Sequence, residues 1–161
     1  MERSRSLLLP LAAVVVAADQ ATKHWAVNSL SDGHVVHVAW TLQFALGFNK
    51  GMAFSRATGL GPLIGVIAML AVVWLLSSLR RTGSALSAVG MALVAGGAAG
   101  NVVDRLLRGD GWFRGAVVDF IDLQWWPVFN IADSAITVGG CLLVLGALRA
   151  ARGPESAVSP S

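Results

Sequence analysis

Apolar runs too long and too free of charge to be surface helices of a water-soluble domain dominate this chain. Leu60–Leu79 covers twenty residues without a charge and stops at Arg80-Arg81. Gly83–Val103 covers twenty-one and stops at Asp104-Arg105, and Val128–Leu148 is broken only by Asp133 and closed by Arg149. About 20 apolar residues carry an α-helix across the hydrocarbon core of a bilayer, so the spacing predicts spans over 60–79, 83–103 and 128–148. A fourth run, Leu7–Val27, carries Asp19 and Lys23 in its last third. It has two readings. Arg3, Arg5, a short apolar stretch and the small residues Ala17-Ala18 also describe a cleavable signal peptide. An uncleaved span over 7–27 tolerates both charges if they pair at i,i+4 on one helical face.

Only 13% of the 161 residues are charged, against about a quarter in soluble domains, which favours one integral membrane domain over 1–161. The net charge of +3 does not indicate nucleic acid, because the basic residues punctuate loops instead of forming a patch. The single cysteine, Cys141, sits in an apolar run; this excludes a disulfide framework and a thiolate metal site and reads as a small buried hydrophobe. The Ser/Pro-containing tail, 153–161, is expected to be disordered.

Four spans put both termini on one side, with Arg3, Arg5, Arg80, Arg81, Arg149 and Arg152 in short segments there. Lys50, Arg56, Arg105, Arg108 and Arg114 spread over two longer loops on the other. That density predicts cytoplasmic termini. The first outer loop alternates: Val36, Val38, Trp40, Leu42, Phe44 and Leu46 are apolar at every second position, predicting a half-buried strand region at the membrane surface. Phe48-Asn49-Lys50-Gly51-Met52-Ala53-Phe54 follows, where Asn and Gly favour a turn. The second outer segment, Arg105–Pro127, holds Trp112, Trp125 and Trp126, as an interfacial aromatic belt does, and Val117-Val118-Asp119-Phe120-Ile121-Asp122, two acids in a β-branched context.

Charges within spans face a protein interior or a watery cavity, and here they gather at one depth. Asp19 and Lys23 close the first span, Asn101, Asp104 and Arg105 the third, and Asn130 and Asp133 open the fourth. Asp19–Lys23 also reads as a structural ion pair, Asp104-Arg105 as a helix-end pair, and the GxxxG of Gly96–Gly100 as a packing face. His24, His34 and His37 lack zinc-ligand spacing and read as interface or strand residues. No Ser or Cys has a basic neighbour that marks a nucleophile. Asp119 and Asp133 have no basic neighbour either. Two such carboxyls brought together retain one proton between them, the acid/base arrangement of aspartic proteases. From the residues alone, a proton or ion relay through Asp19, Lys23 and Asp133, and a non-enzymatic assembly role for the GxxxG face, stay open.

In order, Asp19-Gln20 with Lys23, Asn49–Phe54, Gly96–Asn101 with Asp104-Arg105, Val117–Ile121 and Phe129–Ser134 resemble the motifs of lipoprotein signal peptidases, the type II signal peptidases of bacteria. The resemblance covers residues 7–150. It implies a mainly α membrane fold: four transmembrane helices, a small extracytoplasmic β-cradle and an outer interfacial segment, in the bacterial inner membrane. It implies catalytic aspartates at Asp119 and Asp133. Asp19, Lys23, Asn49, Gly51, Asn101, Asp104, Arg105 and Asn130 would line or support the site. The implied substrate is a prolipoprotein carrying diacylglycerol on its lipobox cysteine, cut on the amino side of that cysteine, with no metal or other cofactor. Globomycin-type peptides are the implied inhibitors, and a monomer is expected. Two departures stand out. The stretch between Asp119 and Asp133 is short, filled by Gln124-Trp125-Trp126, and Met52 replaces a commoner small or branched residue.

Overall fold

The computed structural model describes residues 7–50, 61–79 and 84–152. Gly51, Met52, Arg80, Arg81 and the tail 153–161 lie outside them, as does most of the turn expected after Phe48. Among the described residues, four helices and three strands follow in the order α1 (Leu8–Leu30), β1 (Val36–Ala39), β2 (Leu42–Asn49), α2 (Gly61–Ser78), α3 (Ala85–Leu107), β3 (Val117–Asp122) and α4 (Ile131–Ala151). Helix α3 is the hub and packs on α1, α2 and α4. Its glycines allow this. A Cβ on Gly96 would meet the Ala12 carbonyl oxygen of α1 at 2.8 Å, and one on Gly90 would meet the Gly139 carbonyl oxygen of α4 at the same distance. The GxxxG face therefore packs within the chain.

The molecule exposes many large apolar side chains and buries several charged ones beside its apolar core. Leu63, Ile67, Leu70, Val73 and Trp74 of α2, and Val144 and Leu148 of α4, are exposed, whereas Asp19, Lys23, Asp104 and Asn130 are fully buried. Exposed apolar surface on this scale marks a lipid or protein contact. Among the described residues, α3 and α4 are long and apolar enough to cross a membrane; α2 offers the shorter apolar stretch Pro62–Ser78. Helix α1 has the length but carries Asp19 and Lys23 inside.

Several expectations shift. Helix α3 runs past Val103 to Leu107, so Asp104 and Arg105 lie in its last turn and not beyond it. Cys141 is exposed, not buried: α4 turns its glycines Gly139 and Gly146 toward α3, leaving Cys141 on another face. The alternating stretch is not one strand. Trp40 takes a left-handed φ of 51° and folds it into an antiparallel β1–β2 hairpin. Strand β1 is exposed throughout while β2 is largely half-buried. Strand β3 completes the sheet, antiparallel to β2, and pairs Asp119 with Gly47 and Val117 with Asn49. Trp25 of α1 stacks edge-on against Phe44 and Phe120, seating the sheet on the helix end.

Candidate active site

The buried polar residues form two linked groups where α1, α3, β3 and α4 meet. The first centres on Lys23, whose ammonium lies 2.8 Å from Asp19 Oδ2 and 2.8 Å from Asp104 Oδ2. It donates a third bond to Asn101 Oδ1 at 2.8 Å, so its three hydrogens have three acceptors. The carboxylates reach further. Asp19 Oδ1 accepts the backbone N–H of Ala132 at 3.0 Å, and Asp104 Oδ2 accepts that of Val118 at 3.1 Å. The residues so held immediately precede Asp133 and Asp119. One ion cluster thus fixes the backbone beside each.

The second group is that carboxyl pair. Asn130 touches both members: its side-chain amide donates to Asp119 Oδ1 at 2.7 Å, and its backbone N–H to Asp133 Oδ2 at 3.3 Å. In return Asn130 Oδ1 accepts the N–H of Asp133 at 2.9 Å, completing a capping box on α4. Asn101 donates to Asp133 Oδ1 at 2.8 Å, and the Asn49 side chain hydrogen-bonds to Asp119. The short connection works because it doubles back. Ile121 and Phe129 pair as an isolated bridge, with Phe129 N–H donating to the Ile121 carbonyl at 3.0 Å, and this brings Asn130 beside Asp119.

No cation contacts either carboxyl of the pair among the described residues. Burial first, then the negative charge of Asp133, pushes Asp119 up to about 6, against the hydrogen bonds from Asn49 and Asn130 and the charge of Lys23. Arg105, almost fully buried, lies within electrostatic reach of Asp119, Asp104 and Asp133. Its Nη1 has no hydrogen-bond partner among the described residues. Two polar side chains outside the sequence-derived set join the cluster. Gln20 donates to Asp104 Oδ1 and to the Gly100 carbonyl, both at 3.1 Å, and Arg108 Nε donates to Asp104 Oδ1 at 2.8 Å. Arg108 sits four residues after Asp104, a helical pairing readable from spacing; Gln20 stands in the first of the resembling motifs, beside Asp19.

A match to the family described as signal peptidase (SPase) II extends over residues 11–149. The chain belongs to the signal peptidase II family. Its relatives include the lipoprotein signal peptidase of Mycobacterium avium (strain 104), 44% identical over 89% of this chain and 79% of that protein. That of Mycobacterium leprae (strain Br4923) is 43% identical over 89% and 72%. A bacterial membrane enzyme solved by the in meso method at 2.3 Å superposes with a TM-score of 0.79 at 28% identity, covering 96% of this chain and 95% of that one. A second such structure, at 1.9 Å, gives a TM-score of 0.77 at the same identity. The protein is therefore a membrane protease of the signal peptidase II family, and a transport role is not favoured.

Proposed function

We propose that this signal peptidase II is an aspartic endopeptidase that removes the signal peptide from diacylglyceryl-modified prolipoproteins. It cuts on the amino side of the lipidated lipobox cysteine, using water activated between Asp119 and Asp133. The observation that carries this reading is Asn130, which holds both carboxyls by hydrogen bonds of 2.7 and 3.3 Å where, among the described residues, no cation contacts them. Two carboxyls held this close share one proton while the raised Asp119 still carries it. The ionised member takes a proton from water as its oxygen attacks the scissile carbonyl carbon, while the protonated member hydrogen-bonds the carbonyl oxygen. Collapse of the tetrahedral diol breaks the C–N bond, and the departing nitrogen takes up a proton. The products are a signal peptide ending in a carboxylate and a lipidated cysteine with a free α-amine.

Arg105 Nη1, the unsatisfied buried donor, is suited to a substrate carbonyl. Asn49, Asn101 and Asn130 orient the carboxyls, and the Lys23 cluster fixes their backbones; Gly51 belongs to the same lining by resemblance alone. The chain forms one domain that crosses the bacterial inner membrane four times as a monomer, with cytoplasmic termini and the site near the outer face. There water reaches the peptide bond while the diacylglycerol stays in hydrocarbon, and globomycin-type peptides compete for the same place. The chemistry uses two carboxyls and water, so cleavage persists in EDTA. The test is cleavage of a diacylglyceryl lipobox peptide by the purified wild type, Asp119→Asn and Asp133→Asn. Normal-rate cleavage by either folded variant rules the dyad out.

A further inference from the structure

The corner between β3 and α4 is built more firmly than an interfacial loop requires. Asp122 Oδ1 accepts the Gln124 N–H at 2.6 Å, and Asp122 Oδ2 accepts Gln43 Nε2 at 2.7 Å. Gln124 Nε2 closes the ring onto Gln43 Oε1 at 3.3 Å, while Gln124 itself takes a left-handed φ of 66°. This turn ties the corner to β2 and projects Trp125 and Trp126, 69% and 59% exposed, as an edge-to-face pair with centroids 6.1 Å apart.

Beside the pair lies a cavity of about 390 Å³, walled by Leu123, Trp125, Trp126 and Phe129 and bounded on the α4 side by Asp133 and Thr137. The hydroxyls on that side are satisfied: Ser134 Oγ donates to the Asn130 carbonyl at 3.0 Å and Thr137 Oγ1 to that of Asp133 at 2.9 Å. The cavity thus has an apolar body and one reactive end, the Asp133 carboxyl. It also reaches Val138, where an exposed stripe of Val138, Cys141, Leu145 and Leu148 begins on α4, at the i, i+3, i+7, i+10 spacing of one helical face.

We propose that this cavity is an acyl-chain subsite: one fatty acyl chain of the substrate's diacylglycerol lies against Trp125-Trp126 and runs down α4 past Val138 and Cys141. The inference rests on the peptidase reading above. Volume separates the occupants. At about 30 Å³ per water-sized group, the cavity takes roughly a dozen methylenes, far more than one lipobox side chain. Position agrees, because the lipidated cysteine flanks the scissile bond and its lipid must leave from beside Asp133. The gain is one of fit, since the chain exchanges bilayer hydrocarbon for an apolar wall and little hydrophobic free energy changes.

Two experiments on the full chain in bilayers test it. A dipalmitoyl lipobox peptide bearing a diazirine at mid-chain should label residues between Leu123 and Leu148, and Trp125→Ala/Trp126→Ala should reduce that labelling severalfold. Val138→Trp, which fills the cavity, should lower kcat/KM for the dipalmitoyl peptide about tenfold more than for a diacetyl peptide. Leu70→Trp on the exposed face of α2 should leave the two substrates' ratio as in the wild type. Labelling confined to other helices, or equal losses on both substrates, overturns the subsite while leaving the peptidase intact. Labelling of this cavity from a diazirine in the signal peptide, and not from the acyl chain, overturns it in favour of the peptide. Absence of cleavage of any lipobox peptide by the wild type rejects the peptidase reading itself.

Discussion

Four aspartates converge in this protein, and the contrast between two pairs of them is instructive. Asp19 and Asp104 share the ammonium of Lys23 at 2.8 Å each and spend their remaining oxygens on Ala132 N–H, Gln20 and Arg108. Both are tied directly to one cation. Asp119 and Asp133 are held by asparagine amides and a backbone N–H instead. A neutral donor orients a carboxyl without forcing it to ionise. The same residue type thus touches a cation in one pair and only neutral N–H donors in the other, among the described residues.

The largest test of that contrast is loss of activity. Asp119→Asn and Asp133→Asn should each lower kcat by about a thousandfold or more, within or beyond the 10²–10⁴ range typical of acid–base groups, while the proteins stay folded. Asp19→Asn should retain measurable cleavage. Comparable losses at Asp19 and Asp119 erase the distinction.

Next in size is stability. Lys23→Met strands two buried carboxylates, an arrangement that costs roughly 3–5 kcal/mol when one partner of a buried pair is removed. A fall in the detergent-solubilised melting temperature should report it, and an unchanged Tm denies the clamp its role. Asp119 works in the opposite direction. With its carboxyl raised from 3.8 to about 6, its ionisation is resisted by the fold. That contribution is fully present below the unfolded value, and stability falls as pH rises through about 6. Asp119→Asn should therefore stabilise the protein at pH 7.5 by up to about 3 kcal/mol and by much less at pH 4. Equal Tm shifts at both pH values contradict the raised carboxyl.

The smallest effect is kinetic. Because Asp119 must keep or share a proton, kcat/KM should decline as pH rises through about 6, with the slope of a single proton. Asn130→Ser should displace that limb, and a limb that stays in place means Asn130 does not tune the pair.

Most of each expected run, 61–78, 85–103 and 131–148, was legible as helix because long apolar stretches have few other ways to satisfy their backbones in a bilayer. Residues 128–130 are not helical: Phe129 pairs with Ile121 and Asn130 caps the helix. The i,i+4 spacing of Asp19 and Lys23 foretold their pairing. Illegible were contacts between segments distant along the chain. Asp104 looked like a partner for adjacent Arg105, yet Lys23, Gln20 and Arg108 bind it. Cys141 looked buried because hydropathy does not distinguish lipid from protein interior. The β1–β2 hairpin hid inside an unbroken alternation, since the bulky Trp40 gives no warning of a left-handed turn.

By itself, then, the sequence determined that the chain is apolar enough for a membrane and that several acids and amides fall at the ends of its apolar runs, since both follow from composition and order. The tertiary structure decided which aspartates meet a cation and which meet only amides. Whether a carboxyl holds its proton depends on neighbours contributed by α1, α3, β2 and α4, up to 113 residues away along the chain. No local pattern encodes that distance.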